Sequence, residues 1–185
     1  MYEEIKAKIK MRMGKSIDSL KEEFKKIRSG RANAGLVEGL MVDYYGNKTP
    51  LKQLASISVP EPRLIVVQPW DKGSLADIEK AFHKSDLMLT PNNDGKVIRI
   101  AVPALTEERR KELVKVAKGK AEDARIAIRN IRRDGNDEIK AAEKEGHVSE
   151  DDSKKAISEI QKITDEYIEQ VNTLLEAKEE EIMEV

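Results

Sequence analysis

From Thr106 to the C-terminus the chain contains no proline, and its apolar residues recur at spacings of three and four. The pattern is clearest near the end, at Ile157, Ile160, Thr164, Ile168, Val171, Leu175, Lys178 and Ile182. This spacing gives a helix one apolar stripe, as in a coiled-coil seam. Gly146 interrupts the run, and Ser149 with the acidic residues after it is typical of a helix N-cap. The sequence therefore predicts two long helices, the first capped by Thr106.

The N-terminal residues carry a second helical pattern. Its apolar positions are Ile5, Ile9, Met13, Ile17, Leu20, Phe24 and Ile27. The spacing predicts a helix over residues 2–28, which Ser29 and Gly30 end. A single helix of this kind does not stand alone in water, so we expect it to pack on the two long helices as a bundle.

The middle of the chain is rich in strand formers and turn residues. The predicted strands cover residues 40–45, 54–59, 64–67 and 97–102. A short amphipathic helix is predicted over residues 74–84 with Ser74 as its cap, and turns are predicted at 46–47 and 91–95. This segment therefore has the pattern of a small β/α/β domain.

The element order predicts an α+β fold in which a long three-helix bundle is interrupted by the small domain. The bundle takes residues 1–30 and 105–185, and the insert takes residues 31–104. The chain crosses between them twice, at Ser29-Gly30-Arg31 and at Pro103-Ala104-Leu105. Two crossings at chain-breaking residues are typical of a hinged two-domain protein.

Four arginines, at positions 125, 129, 132 and 133, lie within the first long helix. At about 100° per residue they point to one side, while Ile128 and Ile131 form a separate apolar stripe. Arginine suits phosphate because its planar fork donates paired hydrogen bonds and keeps its charge. The whole chain has a net charge of only −1, so this is a local patch. The pattern favours docking on one structured polyanion over general coating of nucleic acid.

A second interpretation makes the same cluster a solvated helix face, with its arginines paired to Glu122, Asp134 or Asp137. A generic coiled-coil adaptor that binds partner helices through its apolar stripe also fits the pattern. The two functions differ in what they need. An adaptor would tolerate loss of the arginines, whereas a polyanion-binding protein would fail without them and keep its stripe buried.

The composition argues against several classes of site. The chain has no cysteine, which excludes disulfides, zinc–thiolate sites and thiol nucleophiles. Its two histidines, His83 and His147, have no second ligand pattern nearby, and no glycine-rich phosphate loop is present. We therefore expect no enzyme activity, metal or cofactor. Trp70 and Tyr44-Tyr45 are expected to pack the small domain or line its surface.

No apolar run is long enough to span a membrane, and the N-terminus lacks the apolar core of a signal peptide. The sequence therefore predicts a cytosolic protein without membrane contact.

Seven segments together resemble the ribosome recycling factor family, in order and over the full length of the chain. They are residues 27–32, 42–46, 50–55, 85–87, 105–111, 128–133 and 159–166. The resemblance implies an L-shaped monomer with the bundle as the long arm. Such a factor would bind the post-termination 70S ribosome on the large subunit, near the peptidyl-transferase region. With elongation factor G and its GTP hydrolysis, it would then separate the subunits.

The resemblance also implies which residues meet the large-subunit rRNA. The contacts carry over to Arg129, Arg132 and Arg133, with Arg125 on the same helix face. By the same resemblance they extend to Arg28, Arg31 and Arg110.

The chain departs from the family pattern at a few positions. Met88 and Thr90 stand where the family often has glycine and asparagine, and the proline often found after Arg-Ala-Asn is missing. Gly119 and Gly135 fall inside the first long helix, where each costs about 1 kcal/mol relative to alanine.

Overall fold

In the computed structural model, which describes residues 1–27 and 30–184, the two ends of the chain form one unit and the middle forms another. The first unit takes residues 1–29 and 107–185, and the second takes residues 30–106. The helices in chain order are α1 (Tyr2–Lys25), α2 (Leu75–Lys84), α3 (Glu107–Lys144) and α4 (Glu150–Met183). Helices α1, α3 and α4 make up the first unit, so the α+β class predicted from the sequence is confirmed.

Polar contacts between the three long helices show how they are arranged. From α1 to α3 the pairs are Lys8–Glu138, Arg12–Asp134 and Glu23–Lys120. Residue numbers rise on α1 as they fall on α3, so these helices are antiparallel. From α3 to α4 the pairs Lys118–Glu179, Arg125–Asn172 and Arg132–Gln161 show the same relation. The first unit is therefore an antiparallel bundle with α3 bonded to both neighbours.

The apolar stripes predicted from the sequence form the core of this bundle. On α1 the stripe from Ile5 to Phe24 is buried, and on α4 the buried positions include Ile160, Val171 and Ile182. At Gly135 of α3, side chains from both other helices come close to the α3 backbone. A Cβ atom built there would lie 2.1 Å from Ile9 Cδ1 and 3.5 Å from Ile160 Cδ1. Glycine therefore makes room at this position for the side chains of both neighbouring helices.

Helix α1 ends earlier than the predicted residue 28. Its last helical residue is Lys25. The next two residues make hydrogen bonds of the 3-10 type, from Lys26 N to Glu23 O and from Ile27 N to Phe24 O. Ile27 is still buried, so the apolar spacing continues past the end of the helix. Arg28 and Ser29 lie outside the described residues.

The second unit holds α2 and six strands. The strands are β1 (Met41–Tyr44), β2 (Asn47–Pro50), β3 (Ala55–Glu61), β4 (Leu64–Pro69), β5 (Pro91–Asn93) and β6 (Ile98–Ala101). Strands β1 and β2 form a hairpin, and the others form an antiparallel sheet in the order β3-β4-β6-β5. Ile65, Val67, Ile78 and Phe82 are among the residues of its buried core.

The predicted turn at Gly46-Asn47 is wrong by one residue, and strand β2 was not foreseen. The two-residue loop is Tyr45 and Gly46, with φ of 48° and 81°. Asn47 already pairs with Tyr44. Two successive residues with positive φ are what a tight hairpin of the I′ type needs. The β2 sequence Asn-Lys-Thr-Pro is poor in strand formers, so only pairing with β1 makes it a strand.

The turn predicted over residues 91–95 is also partly wrong. Residues Pro91–Asn93 form β5, and the reversal follows at Asp94, whose carboxylate accepts from the Lys96 and Val97 amides at 2.9 Å. Strand β5 lies at the edge of the sheet and starts with its proline. Proline is tolerated there because no ladder hydrogen bond from its nitrogen is lost.

The two predicted serine caps have different outcomes. Ser149 is confirmed, since its Oγ accepts from the Asp152 amide at 3.1 Å at the start of α4. Ser74 precedes α2 but does not cap it, because its hydroxyl donates to the Asp71 carbonyl at 2.6 Å. The Asp71 carboxylate accepts instead from the Gly73 amide, one residue before Ser74.

Candidate nucleic-acid interface

Helix α3 presents the arginine cluster on a different side from its packing face. Ile128 is fully buried and Ile131 is 6% exposed. Arg129 and Arg132 are half-buried, and Arg133 is exposed. The helix is held by neighbours on two sides, so its third side faces solvent and can meet a large partner.

The guanidinium of Arg125 is directed toward α4. Its Nε and Nη2 donate to Asn172 Oδ1 at 3.0 and 2.7 Å, and its Nη1 donates to Glu122 Oε2 at 3.0 Å. The side chain is only 19% exposed. With all three nitrogens bonded, this arginine joins α3 to α4 and has little left to offer a ligand.

Arg129 is more accessible, but it also touches a carboxylate. Its Nη1 donates to Glu122 Oε1 at 3.3 Å, and its side chain is 41% exposed. Hydrogen bonds from Arg125 and Arg129 to Glu122 hold the pKa of that carboxyl below its usual range. Glu122 is therefore ionised at neutral pH and neutralises part of the cluster.

Arg132 and Arg133 are the least constrained members. Arg132 donates from Nη1 to Gln161 Oε1 on α4 at 3.2 Å, a neutral partner. Within residues 1–27 and 30–184, Arg133 has no hydrogen bond or ion pair. These two side chains, with Arg129, form the accessible cationic face of the bundle.

Of the three acids that could have paired with the cluster, only Glu122 does. Asp134 accepts from Arg12 of α1 at 2.8 Å, so it stabilises the bundle on another side of α3. Asp137 is exposed and has no hydrogen-bond or ion-pair partner in the described part of the chain. The pairing with an acid that the solvated-face interpretation expects is therefore seen for Arg125 and Arg129, through Glu122, and not for Arg132 or Arg133.

The other arginines named from the sequence lie apart from this cluster along the chain. Arg31 is exposed and belongs to the second unit. Arg110 is half-buried near the start of α3, and its Nε is buried without a hydrogen-bond partner among the described residues. Arg28 falls outside the described residues.

The crossing residues that are described show one backbone constraint. Gly30 has φ of 78°, and a Cβ atom there would lie 3.0 Å from Leu105 Cγ. The two crossing segments therefore approach closely at this point, where both the conformation and the space favour glycine. Pro103 and Ala104 are exposed, and Ser29 is not described.

Two aromatic residues of the second unit lie at its surface, whereas Phe82 belongs to its core. Tyr45 is 80% exposed and Trp70 is 69% exposed. The hydroxyls of Tyr44 and Tyr45 both donate to Asp71 Oδ2, at 3.1 and 3.4 Å. Hydrogen bonds from the Gly73 amide and then from Tyr44 lower the pKa of Asp71. Asp71 thus orders this surface, which sequence patterns alone did not reveal.

Metal and membrane features were searched across the described residues. No group of three His, Cys, Asp or Glu side chains could hold a metal ion there. No helix in that part of the chain is long and apolar enough to cross a bilayer. His83 and His147 each lie beside a glutamate of their own segment, Glu79 and Glu145.

Two positions that matter for the cluster were missed by sequence reasoning. Asn172 and Gln161 lie 47 and 29 residues from their arginine partners. Neither amide carries charge, so no charge pattern singled it out. The antiparallel pairing of α3 with α4 is what brings them to the arginines.

Comparison with known proteins supports one family. The family model for ribosome recycling factor matches residues 20–183. The ribosome-recycling factor of Natranaerobius thermophilus is 60% identical over 171 residues, which cover 92% of this chain and 93% of that protein. The ribosome-recycling factor of Syntrophomonas wolfei is 55% identical over 185 residues, and all of both chains is covered.

Solved structures agree with these relatives. A solution structure of a ribosome recycling factor is 44% identical, has a TM-score of 0.75, and covers 100% of this chain and 98% of that chain. A second structure describes the T. thermophilus ribosome recycling factor and E. coli elongation factor G bound to the E. coli post-termination complex. Its matching chain is 48% identical with a TM-score of 0.63, and 99% of each chain is covered. Sequence and fold thus agree along the whole chain, which belongs to the ribosome recycling factor family.

Proposed function

We propose that this protein binds the post-termination ribosome through large-subunit rRNA and, with elongation factor G and GTP, separates the subunits. It acts by binding and by mechanical displacement, without a reaction of its own and without a cofactor. The observation that supports this most directly is the accessible cationic face of α3 on a chain with a net charge of −1. A local face on a near-neutral body binds one structured polyanion without coating others.

Within this face, Arg129, Arg132 and Arg133 are the residues proposed to contact phosphate. They are accessible, and a guanidinium fork gives phosphate paired, charge-assisted hydrogen bonds. Arg125 is proposed to position the others, because its own fork is bonded to Asn172 and Glu122. Arg28, Arg31 and Arg110 remain proposals that rest on the family resemblance.

The adaptor function finds less support in this geometry. An adaptor needs an apolar stripe that a partner helix can reach. In the bundle, Ile160, Val171 and Ile182 of α4 are fully buried, and Ile160 Cδ1 lies 3.5 Å from a Cβ atom built at Gly135 of α3. These three positions of the stripe are therefore used inside the protein, and Ile157, Ile168 and Leu175 are half-buried.

Co-sedimentation with separated ribosomal subunits tests the proposal. The protein should bind the large subunit in preference to the small one, and binding should weaken as salt rises because phosphate contacts release counterions. The double variant Arg129→Ala, Arg133→Ala should weaken binding by about 1–3 kcal/mol per lost contact. The matched control is the double variant Lys10→Ala, Lys21→Ala, which removes two exposed positive charges on α1.

Three results would contradict rRNA binding by this face. They are equal sedimentation with both subunits, no salt dependence, and equal losses for the double variant and the control. Helical circular dichroism should be unchanged in all variants, since none of the four side chains belongs to the buried core.

We also propose that the two units move as separate domains about Ser29-Gly30-Arg31 and Pro103-Ala104-Leu105. Two parallel connections restrict such motion to a hinge, and elongation factor G would displace the small domain while the bundle stays bound. The chain has no cysteine, so a disulfide introduced across the crossings can lock it reversibly. The oxidised form should bind ribosomes but fail to split them, and reduction should restore splitting. If the locked form separated the subunits at the full rate, the hinge motion would not be part of the mechanism.

A further inference from the structure

Glu122 occupies an unusual place among the acids of α3. Its Oε2 accepts from Arg125 and its Oε1 accepts from Arg129, at 3.0 and 3.3 Å. One carboxylate thus bridges the arginine that is fixed to α4 and the arginine that faces solvent. Arg125 is fixed in turn by Asn172, so the carboxylate is held in place beside Arg129.

This contact is accessible to solvent on both sides. The side chains of Glu122 and Arg129 are 51% and 41% exposed. An exposed ion pair of this kind contributes little stability and exchanges readily with other ions. A phosphate that approaches Arg129 must therefore displace the carboxylate or accept its repulsion.

The other acids near the cluster do not act in this way. Asp134 is bonded to Arg12 on the α1 side of the helix. Asp137 is exposed and, within the described residues, makes no hydrogen bond or ion pair with any of the four arginines. Glu122 is the acid that competes directly with a ligand of the cationic face.

We propose that Glu122 is a built-in counter-anion that competes with rRNA phosphate for Arg129 and so limits the affinity of the bundle for the ribosome. The inference rests on the proposed function, and it adds a control on release. A factor that acts on many ribosomes in turn must also leave each one. A competing anion attached to the protein weakens binding by a fixed amount at every encounter.

The test compares two substitutions that change the net charge equally. Glu122→Gln removes the contact with Arg129, while Asp137→Asn removes a negative charge from the same helix that touches no arginine. Glu122→Gln should raise the affinity for large subunits about threefold, the order expected when an exposed ion pair no longer competes. It should also steepen the dependence of log affinity on log salt by about one unit, as one more counterion-releasing contact does. Asp137→Asn should change affinity by less than half as much.

A third variant shows whether Glu122 acts through Arg129. In an Arg129→Ala background, Glu122→Gln should give no gain, because the competed side chain is absent. Equal gains in affinity from Glu122→Gln and Asp137→Asn would show that the gain comes from the change in net charge and not from the contact with Arg129. A loss of affinity in Glu122→Gln would show that the carboxylate orients Arg129 for binding. Either result overturns the inference.

Failure of the proposed function gives a different result. In that case Arg129→Ala with Arg133→Ala would leave large-subunit binding intact, whatever Glu122→Gln does. If those arginine variants lose binding and Glu122→Gln has no effect, only the counter-anion role is overturned.

Discussion

Among the bundle's glycines, the one with the least room for a side chain lies inside a helix, at Gly135, whereas in the small unit positive φ is found in loops, at Tyr45, Gly46 and Met88 among others. The bundle residue has an ordinary helical backbone but almost no space around its Cα. The loop residues have space around them but adopt positive φ, a backbone conformation that is unfavourable for every residue except glycine. Glycine is thus favoured for shape at Gly135 and for backbone conformation at Gly46.

This difference shows how each unit keeps its structure. Stripes of apolar side chains hold the long helices together, so one added methyl group at Gly135 affects side chains on all three helices. The small unit depends on chain reversals that fix the register of its strands, so backbone strain there is local. Adding a methyl group at Gly135 should therefore destabilise the bundle, whereas removing the side chain of Met88 should stabilise the small unit.

The largest effect is expected for Gly135→Ala. The new methyl group would lie 2.1 Å from Ile9 Cδ1, and Ile9 is only 2% exposed, so it has no free space into which to move. We expect the free energy of unfolding to fall by about 1–3 kcal/mol, the usual cost of overpacking. Urea denaturation followed by helical circular dichroism measures it.

Gly119→Ala is the matched control on the same helix. Nothing lies within 4 Å of a Cβ atom at Gly119, so alanine should stabilise α3 by about 0.5–1 kcal/mol through helix propensity alone. A second check is Ile9→Val, which removes the clashing Cδ1 and should cost less in the Gly135→Ala background than in the parent. If both glycine variants were stabilising, close packing at Gly135 would not govern the bundle.

A smaller effect of opposite sign is expected for Met88→Gly in the small unit. Met88 has φ of 54° and is 90% exposed, so its side chain contributes little packing to offset the left-handed backbone. Relief of about 1–2 kcal/mol of strain exceeds the entropy cost of glycine, about 0.5–1 kcal/mol. We expect a net gain of about 0.5–1 kcal/mol, measured by slower hydrogen exchange of the β6 amides.

Met88→Ala separates the backbone from the side chain. Alanine keeps the strain and removes only the exposed thioether, so exchange should stay close to that of the parent. A gain from alanine equal to that from glycine would show that the side chain, and not φ, is unfavourable here.

Local patterns were sufficient for much of the fold. The stripes on α1 and α4, the Ser149 cap and the strands β1, β3, β4 and β6 were all recognised from spacing and residue type. The errors occurred where pairing overrides local preference. Strand β2 is held by β1 and strand β5 by β6, although their own sequences read as turn or irregular structure.

For the candidate site, the sequence by itself determined which residues share a helix face, because helical geometry links neighbours three and four residues apart. It therefore identified the arginine cluster and three acids that could neutralise it. Only the tertiary structure decided how those charges pair. The antiparallel packing of α3 on its two neighbours turns Arg125 to Asn172 and Asp134 to Arg12. Those two contacts leave Glu122 beside Arg129. No local pattern encodes the contacts of Arg125 with Asn172 and of Asp134 with Arg12, because partners on different helices meet only through packing.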